Sequence, residues 1–394
     1  MADSGRHAVK AFPWLPVSLA AIGAAATIAT LTAAGITLLV ARTVVTPPKR
    51  RPEDTGILSV DGARDLVTLS STAESRLPGE YSLFFADGSG HARVGDIVAE
   101  TPDTVVRRIL SVDRGDLARA RRGRLSGWFY TGPADLGVPF EDVEIETELG
   151  PAPAWLVPAE KASTRWVIEV HGRAVRREET LRAVPVFRAA GYTSLLVSYR
   201  NDEDAPASLD GRYGLGDTEW HDVEAAIRYA VDHGATDVVL MGWSMGGATV
   251  LQTVTRSELA GVVRGIVLDS PVIDWVIALR FQGELLGLPN PIRTAVISLL
   301  GMKWAGRLTG QDAPIDLSRL DFVHRSAELQ VPILLMHSDD DGFIPSAASL
   351  ALAEARPDIV TYVRFTVAGH TKLWNFDRAR WNDAIVHWLA TAAL

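Results

Sequence analysis

The run Leu240-Met241-Gly242-Trp243-Ser244-Met245-Gly246-Gly247-Ala248 places a serine between two glycines, after an apolar stretch and before a segment of helical character. A serine hydroxyl is a weak nucleophile until a neighbouring base takes its proton. Gly-x-Ser-x-Gly suits that use on a sharp strand-to-helix turn. There Gly242 and Gly246 remove β-carbons that would clash, and Gly247 and Ala248 let the helix pack close. Ser244 Oγ then sits at a helix N-terminus, whose partial positive charge favours a developing anion. The same pattern can be a tight structural turn. The apolar strand before it and the Gly-Gly after it favour the nucleophile.

The base is expected after the last strand. Phe365-Thr366-Val367-Ala368-Gly369-His370 supplies it, and His370 would accept the Ser244 proton and return it to the leaving group. The acid is expected after the preceding strand, where His337-Ser338-Asp339-Asp340-Asp341-Gly342 carries three aspartates. Asp341 is chosen because it lies far enough past the strand for a loop to carry it under the histidine; Asp339 is the alternative. The acid would hold the histidine tautomer and stabilise its imidazolium form. Two N–H donors should face the oxyanion. One is the backbone of Met245, next to the nucleophile. The other is expected from His171-Gly172-Arg173-Ala174, after a strand at 166–170, with Gly172 allowing close approach and the Arg173 N–H donating. His171 is read as a brace of that loop rather than a catalytic group.

The remaining histidines carry no chemistry of their own. His233 falls at a helix end, where a cation is favoured, and His337 ends a strand and is expected to pack. His91, His324 and His387 lack metal-ligand spacing. The Gly-rich 211–216 stretch lacks the Gly-Lys-Ser/Thr of a phosphate loop and reads as a flexible segment near the site. The chain has no cysteine, which removes thiolate nucleophiles, disulfides and thiolate-held metals. No metal and no cofactor is expected.

These residues need a scaffold. From about residue 143, apolar strands alternate with amphipathic helices, after a hairpin expected to turn at Gly150-Pro151. Strands are expected at 166–170, 194–199, 238–241, 265–268, 333–336 and 362–367, with helices at 218–233 and 376–393. Such alternation predicts a mostly parallel, doubly wound α/β sheet. Between Pro271 and Pro332 about sixty residues of helical pattern fit no single crossover, so an inserted cap is expected at about 272–330. Residues 57–133 instead alternate short apolar stretches with Gly, Pro and Asp turns, as in a small β-rich region. The expected organisation is an anchor and linker at 1–51, a β-rich region at 52–137 and an α/β domain at 138–394.

The anchor rests on residues 17–41, which carry no charge. At about 1.5 Å per residue such a run can cross a hydrocarbon core of about 30 Å. Six of the 39 Lys/Arg but one of the 48 Asp/Glu lie in the first 51 residues, so the remainder is more acidic than the overall charge of −9. An acidic body repels phosphate backbones, and nucleic acid is not expected as a partner. A basic rim around an apolar run fits lipid, and the expectation is a single-pass protein of the cell membrane, with the side of the body left open.

The body from about residue 143 to Leu394 resembles the α/β-hydrolase superfamily, in particular its monoacylglycerol-lipase-like and prolyl-oligopeptidase-like branch. The matching segments are His171-Gly172, the Gly242–Gly247 elbow, Asp341 with Ile344-Pro345, and His370, in the order expected of that fold. The resemblance implies a triad of Ser244, Asp341 and His370 with donors at Arg173 and Met245. Two features depart from it. Ser338 stands where glycine is usual, and the His-Gly segment lacks the longer glycine run of some lipases.

The leading expectation is therefore a serine hydrolase acting on a small-molecule or lipid ester through an acyl-enzyme on Ser244. A peptidase or an acyltransferase could use the same triad. A non-catalytic, membrane-bound binding protein is the reading from another class. Acyl and alcohol specificity and the oligomeric state leave no mark in the sequence.

Overall fold

The computed structural model describes residues 31–49, 51–202 and 204–392. It opens with a helix, α1 (residues 31–45), and then divides into an antiparallel barrel and an α/β layered domain. Most of the expected membrane-spanning run lies outside the described residues. Its last part falls on α1, whose Ala41 and Val45 are fully buried in the main core. The end of that run therefore packs on protein. Among the described residues, no helix is long and apolar enough to cross a membrane.

The β-rich region closes on itself. Strands β1 (Thr55–Asp61), β2 (Leu66–Ser70), β3 (Tyr81–Phe85), β4 (Gly90–Glu100), β5 (Thr104–Arg114) and β6 (Arg122–Ser126) pair in the order β1-β2-β5-β4-β3-β6, and β6 returns to β1. Closure leaves no free edge. Ile57, Val67, Leu69, Leu83, Phe85 and Val94 fill the interior.

The second unit is an eight-stranded sheet in the order β14-β13-β12-β11-β9-β10-β8-β7. β7 (Glu141–Thr147) and β8 (Gly150–Val157) form an antiparallel hairpin at one edge. Its turn is Glu148-Leu149, two residues earlier than expected: the Thr147 hydroxyl donates to Gly150 O and accepts from Leu149 N–H, which frees Gly150-Pro151 to open β8. β9 (Arg165–Val170), β10 (Thr193–Val197), β11 (Asp237–Trp243), β12 (Val263–Asp269), β13 (Ile333–Ser338) and β14 (Val360–Phe365) run parallel. Each central strand is buried on both faces, and alternate residues enter two different cores. Ile168, Leu240 and Leu268 face one with α3 (Trp220–Asp232) and α4 (Met245–Arg256). Val167, Val239 and Val267 face the other, with α2 (Val184–Ala189) and Trp381, Ile385 and Trp388 of the closing helix.

The insertion between β12 and β13 contains α5 (Trp275–Leu285), α6 (Asn290–Leu300) and the single turn α7 (Gly306–Thr309). A bridge between Asp274 and Asp321 joins its two ends, and the Asp274 carboxylate caps α5 by accepting from Val276 and Ile277 N–H. After β13 come α8 (Ala347–Ala355), the short α9 (Leu373–Phe376) and α10 (Arg378–Thr391).

Candidate active site

Ser244 is the hinge between β11 and α4, with φ 51° and ψ −117°. A non-glycine residue at positive φ is strained, and such strain persists only where its surroundings enforce it. Here they do. The Ser244 N–H donates to Asp269 O, and the Ser244 carbonyl accepts from Gly247 and Val272 N–H. A β-carbon on Gly242 would meet Gly246 O at 2.5 Å, and one on Gly246 would meet Val170 O at 2.2 Å. Gly242 is therefore required by the turn into α4, and Gly246 by the packing of the elbow on β9.

His370 follows β14 by five residues and meets the serine. Its Nε2 lies 2.9 Å from Ser244 Oγ, and its Nδ1 lies 2.7 Å from Asp341 Oδ2. A carboxylate facing Nδ1 places the ring proton there, which leaves Nε2 free to accept from the serine hydroxyl. Asp341 is held from four directions. Its Oδ1 accepts from Phe343 and Ile344 N–H at 2.8 and 2.9 Å, and its Oδ2 meets both His370 and His337 Nε2. Burial alone would push this carboxyl up. The His370 charge and the hydrogen bonds from His337 and His370 outweigh it and hold the group well below the usual carboxylate range. Asp339, the alternative, turns outward to pair with Arg364. Asp340 accepts from Val367 N–H at 2.6 Å and so ties the acid loop to the histidine loop.

The loop after β9 passes beside the elbow, where a β-carbon on Gly172 would lie 3.1 Å from Ser244 Cβ. The Gly172 N–H donates to Glu179 Oε2 at 3.0 Å, and Tyr199 Oη donates to Gly172 O at 2.7 Å. His171 is buried, with Nε2 2.8 Å from Asp202 and Nδ1 2.8 Å from Gly172 O. Burial opposes its protonation, but the Asp202 charge and both hydrogen bonds raise its pKa above the ordinary histidine value. It braces the loop and does not reach the serine. Among the described residues, neither the Met245 nor the Arg173 N–H donates to a protein acceptor.

A cavity of about 320 Å³ opens on Ser244. Trp275 and Leu279 of α5, Phe343 and Ile344 of the acid loop, and Val40 and Val44 of α1 line it. Its walls are mainly apolar.

Three supports escaped the sequence reading. His337 was expected only to pack. In fact its Nε2 faces two acceptors, Asp341 Oδ2 and Ile344 O, while its Nδ1 takes the Ser349 hydroxyl at 2.7 Å. Asp269 holds the elbow through its carbonyl, and its carboxylate accepts from Ser270 and Trp381 at 2.9 Å each. The buried Arg182 donates to Thr371 O, next to His370, at 2.8 Å. Asp269 and Arg182 are remote in the chain from what they hold, and no local motif marks them; His337 is four residues from Asp341, and its role appears only once the loop folds back on it. The 211–216 stretch, expected to be flexible, is pinned instead: Gly214 and Gly216 N–H donate to the buried Glu219 carboxylate, and Tyr213 and Leu215 enter the main core.

A family model described as "Alpha/beta hydrolase family" matches residues 167–384. A second, described as a domain of unknown function (DUF8805), matches residues 56–126, the barrel. No curated protein matches the chain. Among solved structures, an esterase of Pyrococcus furiosus is similar with a TM-score of 0.52 and 18% identity, covering 66% of this chain and 96% of its own. An esterase of Butyrivibrio proteoclasticus with ferulic acid bound is similar with a TM-score of 0.49 and 15% identity, covering 64% of this chain and 99% of its own. The first family match spans more than half of the residues and falls on the sheet that carries Ser244: the chain belongs to the alpha/beta hydrolase family.

Proposed function

We propose that this hydrolase is a serine esterase, tethered to the cell membrane, that cleaves carboxylic esters of apolar, lipid-like acyl groups. One observation carries the reading: the unbroken relay from Ser244 Oγ through His370 to Asp341, opening on an apolar cavity. The ester class is suggested by the Pyrococcus furiosus esterase, whose fold the domain shares. The uncharged run at 17–41 with its basic flanks supports a single membrane pass. The apolar cavity favours the monoacylglycerol-lipase-like side of the superfamily.

The chemistry follows from the positions. Ser244 Oγ bonds to the ester carbonyl carbon as His370 Nε2 takes its proton. The carbonyl oxygen becomes an oxyanion facing the Met245 and Arg173 N–H groups. Collapse breaks the bond to the alcohol, which leaves with the proton from His370. Water, deprotonated by the same nitrogen, then attacks the acyl-enzyme and releases the acid. Asp341, ionised throughout, stabilises the imidazolium in both halves.

The test is labelling with a fluorophosphonate probe. Wild type should be labelled and Ser244→Ala should not, and hydrolysis of esters should disappear with the labelling. A folded wild type that takes no label would overturn the proposal and leave a binding role. A reporter fused after Leu394 should be active on one side of a membrane only; activity in the soluble fraction would remove the tether.

A further inference from the structure

Helix α1 does more than lead into the hydrolase domain. Leu39, Val40, Thr43 and Val44 lie on one stretch of it and line the same cavity as Ser244. Positions 40 and 44 are one turn apart, so they present one face. Ala41 and Val45, offset by one residue, enter the main core. The helix therefore has a face that holds it and a face turned to the cavity.

Its seat is specific. The last carbonyls of a helix lack intrahelical partners and carry partial negative charge. Here Arg173 supplies the missing donors. Its Nε donates to Val44 O at 2.9 Å, and its Nη2 donates to Thr43 O at 2.6 Å and Thr46 O at 3.3 Å. Tyr213, whose ring lies under the Arg173 guanidinium, adds its N–H to Val45 O at 2.8 Å. On the cap side, Arg42 Nε donates to Leu308 O at 2.6 Å. The side chain that holds α1 thus belongs to the residue proposed above as an oxyanion donor, itself part of the cavity lining.

We propose that α1 forms one wall of an acyl-chain subsite, so that the segment leading to the membrane also sets which acyl chains the enzyme accepts. Arg173 acts as the positioning residue that seats this wall. The inference rests on the esterase reading above. The occupant is the acyl chain of the ester, because the nucleophile lines the cavity and its walls are mainly apolar. Its volume of about 320 Å³ is at the small end of the roughly 300–1,000 Å³ typical of ligand sites. One chain of limited length fits it. Leu279 and Val296 of the cap line it together with Val40 and Val44, so side-chain size on α1 changes the room available to the chain.

The experiment uses the full-length protein in detergent and p-nitrophenyl esters from acetate to laurate. For wild type, kcat/KM should climb roughly fourfold per added methylene until the cavity is full, then level off. Val44→Trp should move the plateau to shorter chains and lower the long-to-short ratio by roughly tenfold. Val40→Ala, which removes volume and keeps the helix, should move the plateau to longer chains. Opposite shifts are the expected result, and Val40→Ala carries the test alone if the tryptophan variant fails to fold. A wild type that the fluorophosphonate probe does not label overturns this inference together with the esterase reading. A labelled wild type whose chain-length profile coincides with those of its variants overturns the subsite alone.

Discussion

Asp341 Oδ1 is already occupied by two donors, the Phe343 and Ile344 N–H groups, and this decides what Asp341→Asn does. The asparagine carbonyl must stay on that side, so its NH₂ faces His370. The imidazole then accepts at Nδ1 and carries its proton on Nε2, where it can no longer take one from Ser244. We expect kcat to fall by roughly 10⁴ with KM little changed. Asp339→Asn should leave kcat within about twofold, since an exposed ion pair such as that with Arg364 contributes little. Steady-state kinetics on one ester checks both, and equal losses in the two variants would dismiss Asp341 as the acid. The sequence offered three aspartates in a row and an argument from loop length to choose among them. What separates them physically is not local: Arg364 and Val367, both from the next strand and its loop, engage Asp339 and Asp340 and leave the third carboxylate for the histidine.

At the scale of the element, legibility follows range. The β11–α4 elbow could be read because the pattern that marks it lies within nine residues, although Gly246 answers to β9, far away in the chain. The two required glycines clash only with the next helix turn and the neighbouring strand. Strand ends were less legible: β11 runs to Trp243 and β13 to Ser338, because ladder bonds to neighbours extend a strand past its apolar core. Strand β9 holds a residue that no pattern explains. Glu169 is fully buried, with the Ser194 and Thr180 hydroxyls as its polar neighbours. Burial pushes its pKa up to about 8 from an ordinary 4.5. Between those values the unfolded chain gives up a proton that the folded chain keeps, so stability falls as pH rises, by at most about 1.4 kcal/mol per pH unit. The contribution is whole below 4.5 and lost as pH passes 8. Glu169→Gln removes that slope. Its stability relative to wild type should therefore rise between pH 5 and pH 8 by on the order of a few kcal/mol. Thermal melts at the two values measure this, and parallel pH trends in both proteins would refute it.

At the scale of the whole molecule, the barrel meets the hydrolase domain directly behind the histidine loop. Lys372 pairs with Glu74, Arg378 pairs with Glu80, and Asn375 Nδ2 donates to Glu80 O at 2.8 Å and Gly127 O at 3.2 Å. Leu77 of the barrel packs so close to Gly369 that a β-carbon there would lie 3.0 Å from it. The buried Arg107 fixes this segment by donating to the carbonyls of Ser75, Leu77 and Gly79. The sequence announced the strands but neither their closure nor this joint, since β1–β6 pairing and the Asn375 contacts join residues far apart in the chain. Gly79 is where the joint is tightest. Its φ is +110°, and a β-carbon would stand 2.1 Å from Asn375 O, a backbone atom of the hydrolase domain. Gly79→Ala must therefore move the two units apart. Gly88→Ala is the matched control: its φ is +81°, but nothing lies within 4 Å of the added carbon. Backbone strain alone costs on the order of 1–3 kcal/mol and should lower Tm in both variants. If the barrel braces the loop that carries His370, Gly79→Ala should also lower kcat several-fold with KM unchanged, and Gly88→Ala should not. Equal kcat in the two variants at a temperature where both are folded would mean that the barrel is attached to the catalytic domain without supporting its chemistry.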